Sequence, residues 1–134
     1  MSNLDKHLIS SERCHILANE YDTSNYVAIN SKRPANKPDS REYIFELSVL
    51  KDYLNYIEDE MEKMGIRDKG IKVRLGKYPT TDRDPDLDKE YLGYQTIFFA
   101  PTELERDFQD NEESKAGGVK DLPGMNYGHI RPPY

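Results

Sequence analysis

The stretch Ser48-Val49-Leu50-Lys51-Asp52-Tyr53-Leu54-Asn55-Tyr56-Ile57-Glu58-Asp59-Glu60-Met61-Glu62-Lys63-Met64-Gly65 decides the reading of this chain. Leu50, Tyr53, Leu54, Ile57, Met61 and Met64 recur at the spacing of a helix turn, so one continuous apolar stripe runs along a helix from Ser48 to Met64. Ser48 is expected to cap its start, because a serine hydroxyl accepts from a free amide of the first turn. Asp52 near the start and Lys63 at the end have the signs that the helix dipole favours, and Asp59 pairs with Lys63 four residues on. Gly65 supplies the left-handed residue that ends helices.

Strands flank this helix. On the N-terminal side, Glu42 to Leu47 is rich in β-formers and puts Tyr43, Phe45 and Leu47 on one face. On the C-terminal side, Ile71 to Tyr78 alternates: Ile71, Val73 and Leu75 share one face, Lys72 and Arg74 the other. Tyr94 to Ala100 is apolar on both faces, which describes an inner strand, and Pro101 ends it because proline cannot donate to a ladder. The fold expected is therefore α+β: a small antiparallel sheet of three to four strands with the long amphipathic helix packed on one face. The core is assigned to Phe45, Leu50, Leu54, Ile57, Met61, Val73, Leu75, Ile97 and Phe99.

Outside this centre, Ser10 to Tyr21 reads as a short N-terminal helix capped by Ser10 or Ser11, with Cys14, Leu17 and Tyr21 on one side. Tyr26 to Ile29 is expected to be a short strand or an ordered extension. Asn30 to Ser40, with Pro34 and Pro38, is a loop. The chain thus divides into a helical segment 1–24, a polar loop 30–41, a compact core 42–101 and a tail 102–134, all within one domain. In the tail, the acidic stretch Glu103–Glu113 is expected to be mobile. Leu122 to Tyr134, aromatic and proline-rich, suits an extended segment laid on a surface.

The chain has 134 residues, enough for one domain. Apolar residues make up 36%, and eight glycines do not lift this to the roughly 45–50% of an average domain. Charged residues make up 33%, with 25 acidic against 19 basic, a net charge of −6. That field argues against nucleic acid as a partner. No apolar run spans a bilayer and the first residues do not form a signal peptide, so no membrane partner and a cytoplasmic location are expected. A lone cysteine, Cys14, fits a reducing compartment and is expected to be buried and inert.

The residues Gly70 to Pro79, Gly93 to Thr102 and Asn126 to Pro133 resemble a recurring pattern of small bacterial proteins: a GI-x-V-x-x-G-x-YP strand, a variable loop, a T-[IL]-F-x-x-PT strand and a late NYG-x-x-x-PP element. The resemblance covers roughly residues 42–134. It implies that the tail belongs to the fold, and it implies no activity.

Chemistry-bearing groups are few. Asp82, Asp84, Asp86 and Asp88 alternate in the loop between the two strands, as ligands of a hard cation do. Counted from Asp82, however, the sixth position is Leu87 in place of the EF-hand glycine, and the twelfth is Gly93 in place of glutamate. A solvated acidic loop is the simpler reading. His7 and His15 lack further ligands at zinc spacing, and Cys14 and His15 point apart on a helix. Lys72, Arg74 and Lys77 form a basic row able to receive an acidic segment, and Tyr127, His129 and Arg131 sit together in the tail. Ten tyrosines and no tryptophan suggest rings at the edges of a thin core.

No cofactor is expected. The function favoured is a non-enzymatic protein-interaction module, with Lys72, Arg74, Lys77, Tyr127, His129 and Arg131 as partner-binding candidates. The partner is an unidentified protein, a second copy of the chain included. The alternative is a small metal-dependent hydrolase using the Asp82–Glu90 loop with His129, which requires loop and tail to meet in one cleft.

Overall fold

The computed structural model describes residues 3–109 and 118–133. They fall into two compact units divided after Asp39, inside the polar loop 30–41.

The first unit is helical. Helix α1 (Ser11–Thr23) starts at the Ser10 cap, whose hydroxyl accepts from the Arg13 amide at 3.0 Å. No residue of α1 is buried, and Cys14 is exposed rather than inert in a core. Residues 26–29 are not a strand: they lie in a second helix, α2 (Asn25–Asn30). The loop after it is tied back by two bonds, Tyr26 Oη to the Asp39 carbonyl (2.9 Å) and the Asp39 amide to Asn30 Oδ1 (2.7 Å).

The second unit is α+β, but the four strands among its described residues are split over two antiparallel pairs instead of one sheet of three or four. Strand β1 (Glu42–Ile44) pairs with β4 (His129–Arg131), and β2 (Lys69–Lys77) pairs with β3 (Gln95–Glu103). The long helix α3 (Leu47–Lys63) connects β1 to β2. It begins one residue before the predicted start, with Glu46 as an N-cap that makes no side-chain bond, so Ser48 lies inside the helix and Asp52 beyond its first turn. Its end follows the glycine signal closely. Gly65 adopts φ +77°, its amide bonds the Glu62 carbonyl at 3.0 Å, and the Ile66 amide bonds the Met61 carbonyl at 3.0 Å. Those two bonds define a Schellman motif. Lys63 pairs with Glu60 at 3.0 Å rather than with Asp59.

The packing departs most from the sequence reading. Of the α3 stripe, Ile57 and Met61 are buried, while Leu54 and Met64 are 39% and 50% exposed. Val73 and Leu75 on β2 are 58% and 68% exposed, so they are not core residues. The buried apolar cluster comprises Tyr78, Leu87, Tyr91, Tyr94 and Ile130, with Tyr43 and Leu92 against it. Tyrosines therefore build this core instead of rimming it. Burying such a ring requires a partner for its hydroxyl, and the structure provides them: Tyr78 Oη donates to Asn126 Oδ1 at 2.5 Å, and Tyr91 Oη lies 3.2 Å from His129 Nδ1.

Strand β3 is the inner strand, as its two-sided apolar pattern suggests, but it runs through Pro101 to Glu103 instead of ending at the proline. One edge carries β2; on the other, Phe99 and Met125 exchange amide–carbonyl bonds at 2.9 Å and Val119 donates to the Pro101 carbonyl at 2.8 Å. The tail is thus built into the fold. Its acidic part begins as the end of β3 and helix α4 (Leu104–Gln109), where Asp68 accepts from the Leu104 and Glu105 amides. The remainder of the acidic stretch, up to Glu113, lies outside the described residues.

Candidate functional site

The fifteen residues from Pro79 to Gly93 leave the hairpin between β2 and β3 and return to it at Tyr94, whose carbonyl accepts from the Tyr78 amide at 3.0 Å. The aspartates shape this excursion. Asp82 Oδ1 accepts from the Asp84 amide, Asp84 Oδ1 from the Asp86 amide and Asp88 Oδ1 from the Glu90 amide, each at 3.0 Å. Each is an Asx turn, in which the side chain caps its own backbone two residues on. Alternating carboxylates here therefore form successive turns. Among the described residues, no three His, Cys, Asp or Glu side chains are grouped to hold a metal ion.

These turns drive Leu87 into the tyrosine cluster, leaving Asp86 and Asp88 exposed. The tail meets them there. Arg41 donates from its amide to the Arg131 carbonyl at 2.8 Å, Ile130 pairs with Tyr43, and His129 with Ile44. Two bonds from Asn126 Nδ2, to Ile97 O at 2.5 Å and to Thr96 Oγ1 at 3.2 Å, hold the segment against β3. Gly128 is buried where an added Cβ would lie 2.6 Å from the Phe45 ring. Only glycine allows the tail to pass so close.

The result is a cleft of about 260 Å³ lined by Tyr78, Asp86, Leu87, Asp88, Tyr91, Tyr127, Gly128 and His129. Tyr127 has a left-handed backbone, φ +63°, a conformation that side-chain-bearing residues rarely adopt. In that conformation its hydroxyl donates to Asp84 Oδ2 and clamps tail to loop. The bond lowers the Asp84 carboxyl below its ordinary range, helped by the Asp86 amide, and raises the Tyr127 hydroxyl to about 12.

The signs of these shifts set a pH window. The Asp84 contribution is complete above the ordinary carboxylate range and disappears as pH falls through its lowered folded value. The Tyr127 contribution is complete below the ordinary value of 10.0 and disappears as pH rises through about 12. Subtracting the alkaline absorbance titration of Tyr127→Phe from that of the wild type should reveal one tyrosine ionising near 12. In Asp84→Asn that ionisation should move back towards 10; an unmoved titration would show that the clamp does not form.

The residues singled out from sequence thus separate into three places. Tyr127 and His129 line the cleft with Asp86 and Asp88, so the acidic loop and the tail do converge. Lys72, Arg74 and Lys77 lie on β2, where Arg74 and Lys77 are exposed and Lys72 is half-buried. Arg131 is exposed on β4, 3.9 Å from Glu42. Sequence reasoning missed Tyr78 and Tyr91 as cleft walls, although the excess of tyrosine was their signal. It also missed Asn126, which lies inside the NYG element.

Fold and cleft together define a small α+β protein whose C-terminal segment closes a tyrosine-walled, carboxylate-rimmed groove. No protein-family model matches the chain, and no curated protein or solved structure matches it. No helix among the described residues is long and apolar enough to cross a membrane.

Proposed function

We propose that this protein is a cytoplasmic, non-enzymatic interaction module whose cleft receives a cationic side chain, arginine or lysine, from a partner protein. The observation that carries this reading is the meeting of the acidic loop with the tail around one groove, where Tyr78, Tyr91 and Tyr127 stand beside Asp86 and Asp88. Aromatic faces attract a cation by roughly 0.5–1 kcal/mol at exposed sites and more when it is desolvated. A guanidinium adds paired bonds to a carboxylate. A chain of net charge −6 favours a basic partner at long range as well. A binding role also suits a groove in which the Nδ1 of His129 already faces Tyr91 Oη at 3.2 Å and the aspartates cap turns.

The test uses the full chain and blocked tripeptides, Gly-Arg-Gly against Gly-Glu-Gly, followed by amide chemical shifts. The arginine peptide should perturb Asp86, Asp88, Tyr127 and His129. Replacing both Asp86 and Asp88 by Asn, which keeps the turn-forming oxygen of residue 88, should weaken it about tenfold, the equivalent of roughly 1.4 kcal/mol. Equal responses to the two peptides, or no response to either, would refute the reading.

A further inference from the structure

Strand β2 has an open edge. Phe99 directs its amide and carbonyl away from β2, to Met125. Residues opposite one another in an antiparallel pair either exchange both bonds or neither. Val73 is opposite Phe99, so its backbone groups point off the far edge of β2, and the alternation carries Ile71, opposite Pro101, and Leu75, opposite Ile97, with it. Proline at position 101, which has no N–H to give, agrees with this phase. Among the described residues, no strand pairs with that edge. The same three residues expose their side chains, Ile71 by 38%, Val73 by 58% and Leu75 by 68%. A nine-residue edge with outward backbone groups and bare apolar side chains is a template for another strand.

Charge decides which strand. Between Lys69 and Lys77 the strand carries Lys69, Lys72, Arg74 and Lys77 and no acidic residue, in a chain that is acidic overall. Lys69 is engaged by Glu62 at 2.6 Å, while Arg74 and Lys77 are exposed. A second copy pairing symmetrically about Val73 would set Lys72 opposite Arg74 and Lys69 opposite Lys77. No register of two such strands supplies an anion to these cations, and like charges set directly opposite, as in the symmetric pairing, are destabilising. We infer that β2 is a docking edge for an extended segment of a partner protein in which acidic and apolar residues alternate. Its apolar residues lie beside Ile71, Val73 and Leu75, and its carboxylates lie on the other face, beside Arg74. This edge is distinct from the cleft and does not depend on it.

The experiment adds a blocked Glu-Val-Glu-Val-Glu-Val-Glu peptide to the full chain and follows amide hydrogen exchange, with the corresponding lysine–valine peptide as control. The acidic peptide should slow exchange at Ile71, Val73 and Leu75, the lysine peptide should not, and added salt should weaken the effect. The Arg74→Glu variant should reduce binding by at least about tenfold, the equivalent of about 1.4 kcal/mol. Val73→Pro, which removes one outward N–H without touching the β2–β3 ladder, should reduce it comparably. If that proline variant fails to fold, the charge reversal decides. The double replacement of Asp86 and Asp88 by Asn should leave this binding unchanged, which separates it from the cleft. Unchanged exchange, equal binding of both peptides, or a dimer in sedimentation that Val73→Pro dissolves would each overturn the inference.

Discussion

Ile130→Ala should lower the unfolding free energy by about 2–5 kcal/mol, the usual cost of removing a large aliphatic side chain from a packed interior. Ile130 is 1% exposed and, among the described residues, is the one aliphatic residue that the tail contributes to the cluster of Tyr78, Leu87, Tyr91 and Tyr94. Its strand has only three residues, so backbone pairing with β1 gives β4 little independent hold. A small domain has roughly 5–15 kcal/mol in total, so this one substitution approaches global unfolding. Urea denaturation measures it, with Leu75→Ala as the comparison. Leu75 is 68% exposed, and its truncation should change stability by no more than about 0.5 kcal/mol. Equal costs at the two positions would mean that the tyrosine cluster is not what holds this unit together.

Asn126→Ala should cost about 2–4 kcal/mol, from three hydrogen bonds each worth about 0.5–1.5 kcal/mol. The side chain accepts from Tyr78 Oη at 2.5 Å and donates to Thr96 Oγ1 at 3.2 Å and to the Ile97 carbonyl at 2.5 Å. Tyr78 and Thr96 are both buried and bond each other, Thr96 Oγ1 donating to Tyr78 Oη at 3.2 Å. Removing the amide therefore strands hydroxyls that water reaches poorly. Tyr78→Phe in the Asn126→Ala background should cost less than in the wild type, because the shared network has already gone. Strictly additive costs would show that the three side chains act separately and that the tail is held elsewhere.

Some local signals are legible because local forces satisfy them, whereas the Ser48 cap expected for α3 does not form. Ser10 caps α1 through its own side chain, and Gly65 ends α3 because only a residue without Cβ enters the left-handed region without penalty. The alternation of 71–78 and the two-sided apolar run of 94–100 locate β2 and β3, which pair across one connection. The same periodicity misled on burial. It shows that Val73 and Leu75 share a face, but not whether α3 covers that face, and the helix buries only Ile57 and Met61 of its stripe. Asp82, Asp84 and Asp88 carry one spacing for two chemistries, and only the bonds to the backbone two residues on show that here it forms turns.

By itself the sequence determined the helices that carry their own stop signals, the two long strands and the acidic field, because those depend on neighbours a few residues away. Tertiary structure alone decided that Tyr43 would meet Ile130 across the length of the unit, that tyrosine rings would form the interior, and that loop and tail would share a cleft. Such contacts join residues remote in the chain. Their stability depends on whether a buried hydroxyl finds its acceptor, a condition that only the assembled fold can meet.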